Sequence, residues 1–395
     1  MRKLPIISPC VTYRDILSAL YRGRGIVAAD VFAEDLSISM GSKHLFLTNS
    51  GIAAFYIVLK ALKETSARRE VILPAYTAGS LVVAVKKAGL KPVLCDITLE
   101  DFNLDEDLLS GIISSATLAV VGVHGFGINM KGIAGLRARM PNGVFLIEDC
   151  AQSMGSRTLE KASGAFGDVG FFSFNRGKNF PIYGGGCIVT DNDLLARDIR
   201  AITAGMSEES GFSGLFGFLR ILAFSLIGNP FIYGPLFPLI SLFKETSPAK
   251  DFTVKKIGGL QAELGSMLMA KRENLFSTRH KNGMALISGL KDIGSITPAL
   301  PQIPEGSRYV FNRLPVVFRD INTRIKVEDG LRTNGIETSR MYLRPLHHIF
   351  EMGYAVSDFP KAVYLSERLL TLPTHPDVSG VEIGRMIDII GRVSG

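Results

Sequence analysis

Short β-branched runs alternate with helical segments between about Phe46 and Thr190, and this pattern limits the possible folds more than any other feature. Such an alternation is typical of a mostly parallel sheet covered by helices. We therefore expect an α/β fold with strands at Val71–Pro74, Pro92–Asp96, Leu118–His124, Val144–Glu148, Val169–Phe174 and Cys187–Thr190.

Helical spacing and capping residues predict the helices. Asn49 and Ser50 are good capping residues for the first helix between the strands, and the amino end of that helix would attract an anion. The predicted helices are Gly51–Thr65, Ala78–Ala88, a segment after Asp191 to about Thr203, a long helix at Ile257–Phe276, and helices near Arg324–Thr333 and Val381–Val393. Two further strands are expected, at Tyr309–Phe318 and Leu369–Leu372.

The length of 395 residues is sufficient for two domains, and 47% hydrophobic against 21% charged residues indicates a folded enzyme. We predict a large domain over residues 1–256 and, over residues 257–395, a linking helix with a smaller α+β domain. Four widely separated cysteines indicate a reduced, cytoplasmic setting. The net charge of +7 comes without a nucleic-acid-binding motif, so no nucleic acid is expected as a partner.

Two polar residues at the ends of predicted strands suggest a cofactor. Lys178 follows the strand that ends at Phe174 and precedes a glycine triplet, Gly184–Gly186, whereas Asp149 ends the strand before it. Pyridoxal phosphate needs a lysine for its aldehyde, a carboxylate for its ring nitrogen and backbone amides for its phosphate. The alternatives are a solvated loop lysine and an aspartate that caps a helix or a surface turn.

Several motifs, in order along nearly the whole chain, resemble the DegT/StrS-type nucleotide-sugar aminotransferases, which share the fold type I of aspartate aminotransferase. Each motif alone would be weak, and their order makes the resemblance specific. The matching segments are Leu47–Ala54, Val71–Thr77, Gly89–Asp96, Phe102–Asp105, Val123–Gly127, Glu148–Gln152, Phe172–Phe174, Lys178–Asn179, Leu346–His347 and Leu372–Pro376.

The resemblance implies a role for each matching residue. Lys178 would be the Schiff-base lysine and proton carrier, and Asp149 would pair with the pyridinium nitrogen. The other cofactor-binding residues would be Ser50, Gly51, Ile52, Tyr76, Ala151, Gln152 and Ser173, and the candidate substrate-binding residues are His124, Tyr183 and His347. Ser50 could also be only a helix cap, and His124 only a satisfied buried histidine. No metal is predicted, because the adjacent His347 and His348 lack further ligands.

The chain also departs from the family pattern around the expected site. Ala78 replaces an aromatic residue that stacks on the cofactor, and Ile52 replaces a threonine of the phosphate turn. Tyr183–Gly184 replaces a Gly-Glu pair. Val254–Lys256 replaces an Asn-Tyr-Arg motif that reaches the neighbouring subunit's site, where a lysine could act as a point charge.

An apolar segment between Gly211 and Phe243 contains one charged residue, Arg220. Because glycine and proline interrupt it, we expect two short helices joined by a turn rather than a transmembrane helix. These helices could lie at the inner face of a membrane, with Lys244, Lys250, Lys255 and Lys256 toward anionic headgroups. Alternatively, the segment packs in a dimer interface or over the core.

The resemblance implies a homodimeric aminotransferase that moves an amino group from an amino-acid donor, glutamate, to a keto sugar linked to a nucleotide, in polysaccharide or glycan biosynthesis. One alternative is another pyridoxal phosphate reaction such as sugar dehydration, although the related dehydratases carry histidine where this chain has Lys178. The other alternative is a non-catalytic, membrane-associated scaffold of polysaccharide assembly.

Overall fold

A seven-stranded, mostly parallel sheet lies at the centre of the protein. The computed structural model describes residues 3–22, 26–208, 211–227, 233–235, 251–296, 301 and 303–394. The strands lie in the order β1-β9-β8-β5-β4-β2-β3, and β9 runs antiparallel to both of its neighbours. These strands are β1 (His44–Thr48), β2 (Glu70–Pro74), β3 (Lys91–Cys95), β4 (Thr117–Val123), β5 (Phe145–Asp149), β8 (Val169–Ser173) and β9 (Gly186–Thr190).

Two smaller sheets complete the strands that the structure describes: β6 (Arg157–Thr158) with β7 (Lys161–Ala162), and β10 (Leu314–Val317) with β11 (Leu369–Leu372). The described helices up to the apolar segment are α1 (Tyr13–Arg22), α2 (Ile26–Met40), α3 (Gly51–Glu64), α4 (Gly79–Lys87), α5 (Glu106–Ile112), α6 (Ile133–Arg139), α7 (Asp193–Ala204) and α8 (Gly211–Ile227). They are followed by α9 (Gly259–Met269), α10 (Arg272–Leu290), α11 (Ile321–Thr333), α12 (Pro360–Arg368) and α13 (Gly380–Ser394). The α/β fold and the six predicted strands of the large sheet are therefore confirmed within one residue at each end.

Helix α3 begins where the sequence predicted it and sits against the sheet. Ser50 has an extended backbone, and its hydroxyl accepts a hydrogen bond from the Ala53 amide. Apolar residues from Ala53 to Leu62 bury one side of α3 in the core, where Phe55 stacks on Phe171 of β8 at 4.9 Å. This packing places the amino end of α3 beside the end of β8.

The predicted single helix at Ile257–Phe276 is wrong, because the segment forms two helices that meet at Ala270 and Lys271. The Lys271 amide donates a hydrogen bond to the Leu268 carbonyl. The Arg272 guanidinium donates to the Met269 carbonyl at 2.8 Å, so a side chain satisfies a carbonyl at the end of α9.

The predicted strand Tyr309–Phe318 is too long, because only β10 pairs with another strand. The residues before it bond to loops: the Val310 amide donates to the Ser156 hydroxyl and the Asn312 amide to the Phe126 carbonyl. Sequence analysis also missed α1, α2 and β1.

Helix α8 of the apolar segment packs on the protein's own amino-terminal region. Ile221 is buried, Phe224 contacts the same hydrophobic cluster, and the Ser225 hydroxyl donates to the Val11 carbonyl. The predicted first helix is confirmed, whereas the turn and most of the second helix lie outside the described residues. Of the helices in the described part of the chain, none has the length and apolar character needed to cross a membrane.

Candidate active site

Asp149 and Lys178 come together because β5 and β8 are parallel neighbours in the sheet. Asp149 is the last residue of β5 and lies opposite Phe171 of β8, and the chain reaches Lys178 five residues after β8 ends. Side chains that follow adjacent parallel strands share one edge of the sheet. The two groups are close enough for each to change the pKa of the other.

The Asp149 carboxylate is buried, and Oδ1 accepts a hydrogen bond from the Ala151 amide at 2.9 Å. Burial raises the pKa of Asp149, while this hydrogen bond and the Lys178 charge lower it. A positively charged group beside Asp149 would therefore favour the ionised form of its carboxyl group.

The loop that carries Lys178 is held on both sides. The Lys178 amide donates to the Asn175 carbonyl, and the next side chain, Asn179, donates to the carbonyls of Met154 and Val310. Phe180 is fully buried and stacks on Phe32 with 6.1 Å between ring centroids. The backbone at Lys178 is thus fixed, whereas its amine has no hydrogen-bond acceptor among the described residues.

Burial lowers the pKa of Lys178, the nearby Asp149 carboxylate raises it, and the Arg313 guanidinium lowers it again. A lowered pKa increases the fraction of neutral amine at a given pH. The neutral amine is the form that attacks a carbonyl or accepts a proton.

Four predicted cofactor residues, Ser50, Gly51, Ile52 and Ser173, meet where α3 begins. A side-chain carbon on Gly51 would lie 2.6 Å from Cβ of Ser173, so only glycine allows this approach. The Ser50 hydroxyl accepts a hydrogen bond from the Ala53 amide, whereas the Ile52 amide has no acceptor among the described residues. The amino end of a long helix with an open amide and a nearby hydroxyl suits a phosphate.

The Val254–Lys256 segment, which departs from the family pattern, lies against this turn in the same chain. Asn49 exchanges hydrogen bonds with Lys255: the Asn49 amide donates to the Lys255 carbonyl, and the Lys255 amide donates to Oδ1 of Asn49 at 3.1 Å. The segment therefore contacts its own chain beside Ser50.

Gln152 and Tyr76 hold Tyr342 near the site. Gln152 Nε2 donates to the Tyr342 hydroxyl at 3.1 Å, and its Oε1 accepts from the Phe126 amide. The Tyr76 hydroxyl donates to the carbonyls of Arg340 and Tyr342, and the two tyrosine rings meet edge to face at 5.3 Å. Burial and the Asp149 charge both raise the pKa of Tyr342. Gln152 and Tyr76 thus position a third residue.

A cavity of about 1220 Å³ lies next to these groups. Its lining includes Tyr342 and Tyr183, Phe224 and Ile227 of α8, and Arg313. The volume exceeds that of an ordinary small-molecule pocket. The apolar segment therefore contributes to the wall of the cavity.

Tyr183 lines the cavity, whereas His347 does not. The Tyr183 backbone has a φ of +64°, its ring stacks on Phe224 at 6.3 Å, and its buried hydroxyl lacks a partner in the described structure. His347 points its Nε2 toward the Val356 carbonyl, and its neighbour His348 contributes to the cavity instead.

His124 is fully buried, with both ring nitrogens engaged. Nδ1 accepts from the Met130 amide at 3.0 Å, so Nε2 carries the proton and donates to Glu148 at 2.8 Å. Glu148 also accepts three backbone amides, from Gly164, Phe166 and Gly167. These contacts match the alternative of a satisfied buried histidine. Cys150 brings a third potential metal ligand to this pair, but the His124 and Glu148 atoms already have partners.

Sequence analysis missed Tyr342 and Arg313. Arg313 had a detectable signal, since it is a charged residue inside an apolar run, Tyr309–Phe318, that was predicted to be a strand. Tyr342 had none, because only folding brings residue 342 to residue 152.

The residues present fit pyridoxal phosphate. Lys178 offers an amine without an acceptor among the described residues, Asp149 offers a buried carboxylate, and the start of α3 offers an open amide at Ile52 beside Ser173. These are the lysine, the ring-nitrogen partner and the phosphate site that the cofactor requires.

Proteins similar to this chain include sugar aminotransferases. A UDP-N-acetyl-3-dehydro-alpha-D-glucosamine 3-aminotransferase of Acidithiobacillus ferrooxidans is 27% identical over 348 residues, covering 87% of this chain and 82% of the relative. The spore coat polysaccharide biosynthesis protein SpsC of Bacillus subtilis is 26% identical, with 91% and 87% covered.

Among solved structures, the putative sugar aminotransferase Spr1654 of Streptococcus pneumoniae in its PLP form shares the fold. Its TM-score is 0.80 at 20% identity, and 99% of this chain and 98% of that chain are covered. The model of the DegT/DnrJ/EryC1/StrS aminotransferase family matches residues 24–222 and 246–391. The chain therefore belongs to the DegT/DnrJ/EryC1/StrS aminotransferase family.

Proposed function

We propose that this protein transfers an amino group from an amino-acid donor, glutamate, to the keto group of a nucleotide-linked sugar used in polysaccharide or glycan biosynthesis. The observation that carries the proposal is the Lys178 amine beside Asp149 at the ends of neighbouring parallel strands. The substrate class is supported by the sugar named for the relative from Acidithiobacillus ferrooxidans.

The proposed chemistry assigns a task to each group. When bound, pyridoxal phosphate would supply an electron sink for the electron pair released at the substrate carbon and an aldehyde carbon that carries the amino group between donor and acceptor. Lys178 holds the cofactor and moves the proton at the substrate carbon. Asp149 keeps the ring nitrogen protonated, and the start of α3 with Ser173 binds the phosphate.

The visible absorption spectrum, before and after borohydride reduction, tests this assignment. A yellow protein that bleaches and carries a pyridoxyl group on Lys178 in peptide mapping supports it. A colourless protein that takes up no added cofactor contradicts it and favours a non-catalytic scaffold. Lys178→Arg keeps the charge and serves as the matched variant, which should form no reduced adduct.

Incubation with the amino donor alone separates transamination from sugar dehydration. An aminotransferase releases one equivalent of keto acid per site before any sugar is added, and its full kinetics are ping-pong. A sequential kinetic pattern, or sugar turnover without keto acid release, would contradict the proposal.

We also propose a homodimer. Exposed apolar side chains on α1 and α2 support it, since Leu17, Tyr21, Val27 and Ile38 are each more than half exposed. Association with the inner face of a membrane is a separate proposal, supported by exposed Leu219 and Leu226 on α8. Two results together would contradict the membrane association: the protein is fully extracted from lysed cells in low salt without detergent, and deletion of residues 212–243 breaks the oligomer.

A further inference from the structure

Arg313 lines the cavity directly beside the cofactor lysine. A side-chain carbon built on Gly177, the residue before Lys178, would lie 3.6 Å from Nη2 of Arg313. The guanidinium charge also acts on both Lys178 and Tyr342. Arg313 therefore places a positive charge in the cavity wall, close to the backbone that precedes Lys178.

The guanidinium has few partners inside the protein. Among the residues that the structure describes, Nε is buried without an acceptor and Nη1 contacts only the sulfur of Met341, at 3.6 Å. The Glu337 carboxylate raises the pKa of Arg313 through its charge. Its Oε2, however, accepts hydrogen bonds from the Ile6 amide and the Tyr233 hydroxyl. Arg313 is partly exposed to the cavity, where its guanidinium has no paired carboxylate among the described residues, so an anion that arrives with a ligand could accept its hydrogen bonds.

The backbone that precedes Arg313 is held by hydrogen bonds before any ligand binds. The neighbouring Asn312 donates its amide to the Phe126 carbonyl, and its carbonyl accepts from the Arg279 guanidinium at 3.2 Å. Burial lowers the pKa of Arg313 to about 10, which leaves the group charged at neutral pH. A charged guanidinium on a held backbone can therefore bind an anion through charge-assisted hydrogen bonds.

We propose that Arg313 binds the α-carboxylate of the amino-acid donor. This inference rests on the proposed aminotransferase function. The donor nitrogen must reach the cofactor next to Lys178, and the α-carboxylate is attached to the carbon that carries this nitrogen. A diphosphate on a sugar is separated from a ring keto group by further carbons, so it would lie farther from Lys178.

Titration of the holoenzyme with 2-methylglutamate tests the proposal, because this ligand has both carboxylates but no α-proton to lose. Arg313→Gln should weaken binding about 10- to 100-fold, the range of a charge-assisted hydrogen bond. Arg344→Gln is the control, since Arg344 is an exposed arginine of the same cavity; its affinity should stay within about twofold. Thermal melting confirms that each variant is folded, and Arg313→Lys replaces Arg313→Gln where the latter does not fold.

Kinetics of the two half-reactions identify which anion Arg313 binds. Arg313→Gln should raise the KM for glutamate and for glutamine alike, because both carry the α-carboxylate, and leave the KM for the keto sugar unchanged. An increase for glutamate alone would assign Arg313 to the side-chain carboxylate, and an increase only for the sugar would assign it to a phosphate. Either result, or unchanged affinity for 2-methylglutamate, overturns the inference. Absence of keto acid release from the wild type would instead contradict the proposed function.

Discussion

Burial has the largest effect on the pKa of Lys178, and two nearby charged residues modify it. Burial and Arg313 lower the pKa of Lys178, and the Asp149 carboxylate raises it. Because Asp149 and Arg313 have opposite effects, removing either charge should shift the pKa of the amine in a known direction.

Asp149→Asn should lower the pKa of Lys178, since the substitution removes the carboxylate that raises it. The measurement is the pH dependence of Lys178 labelling by an amine-reactive reagent in cofactor-free protein, followed by peptide mapping. The labelling midpoint should move to lower pH. Asp193→Asn is the control, because Asp193 pairs with Lys43 and His44 at the surface, and its midpoint should not move. A midpoint that stays in place or rises in Asp149→Asn would contradict the assigned contact.

At the scale of elements, the predicted phosphate site depends on close contact between β9, β8 and the start of α3. A side-chain carbon on Gly186 would lie 2.6 Å from both the Gly51 nitrogen and the Phe172 carbonyl oxygen. These are backbone atoms, which cannot rotate away as a flexible side chain can.

Gly186→Ala should therefore destabilise the protein by about 1–3 kcal/mol, the usual cost of overpacking. Urea unfolding measures this change, and the yield of reduced cofactor adduct should fall with it. Gly384→Ala in α13 is the matched control, because its new carbon meets no atom within 4 Å. The control should be neutral or stabilising by up to about 1 kcal/mol. Equal stability of the two variants would show that β9 does not pack tightly against α3.

Helix α8 provides an aromatic side chain to the cavity. Phe224 stacks on Tyr183, and the Arg176 guanidinium lies 4.3 Å from the centre of its ring. Phe224 lies between the two ranges that the family model matches, residues 24–222 and 246–391.

Phe224→Ala should raise the KM for the keto sugar about 5- to 30-fold, because the cavity residues Tyr183 and Arg176 would lose stacking and cation–π contacts worth about 1–2 kcal/mol that hold them in place. The donor half-reaction should be unchanged, because Phe224 is not among the contacts of Lys178. Leu226→Ala on the same helix is the control, because the Leu226 side chain is 46% exposed. Equal losses in both half-reactions would indicate a general structural role for Phe224.

At the scale of the whole molecule, distant parts of the chain meet at Glu337. This buried carboxylate accepts the amide of Ile6 and the hydroxyl of Tyr233, and it acts on Arg313 electrostatically. The amino terminus, the apolar segment and the carboxyl-terminal part of the chain therefore converge at one cavity. The division into domains at residues 256 and 257 remains a prediction.

Paired substitutions Leu17→Glu and Tyr21→Glu on α1 should convert the proposed dimer into monomers, because charges on an apolar interface oppose association. Light scattering after size-exclusion chromatography measures the mass of the assembly. Val381→Glu on α13 provides the control, as that side chain is 76% exposed. A monomeric wild type, or a dimer that survives both charges, would contradict an interface at α1.

The order of short strands and helices was readable from the chain, because the period of apolar residues depends on local geometry and the six predicted strands of the large sheet are largely buried. Lys178 and Asp149 were identifiable for the same reason, since each follows a buried strand and parallel strands end at one edge. The sequence did not predict that Gln152 pairs with Tyr342, that Arg313 lies at the cavity or that Phe224 forms part of its wall. These features depend on contacts between residues far apart in the chain, such as Gln152 and Tyr342 or Tyr183 and Phe224. Only tertiary packing brings such residues together, so a local sequence pattern cannot predict these contacts.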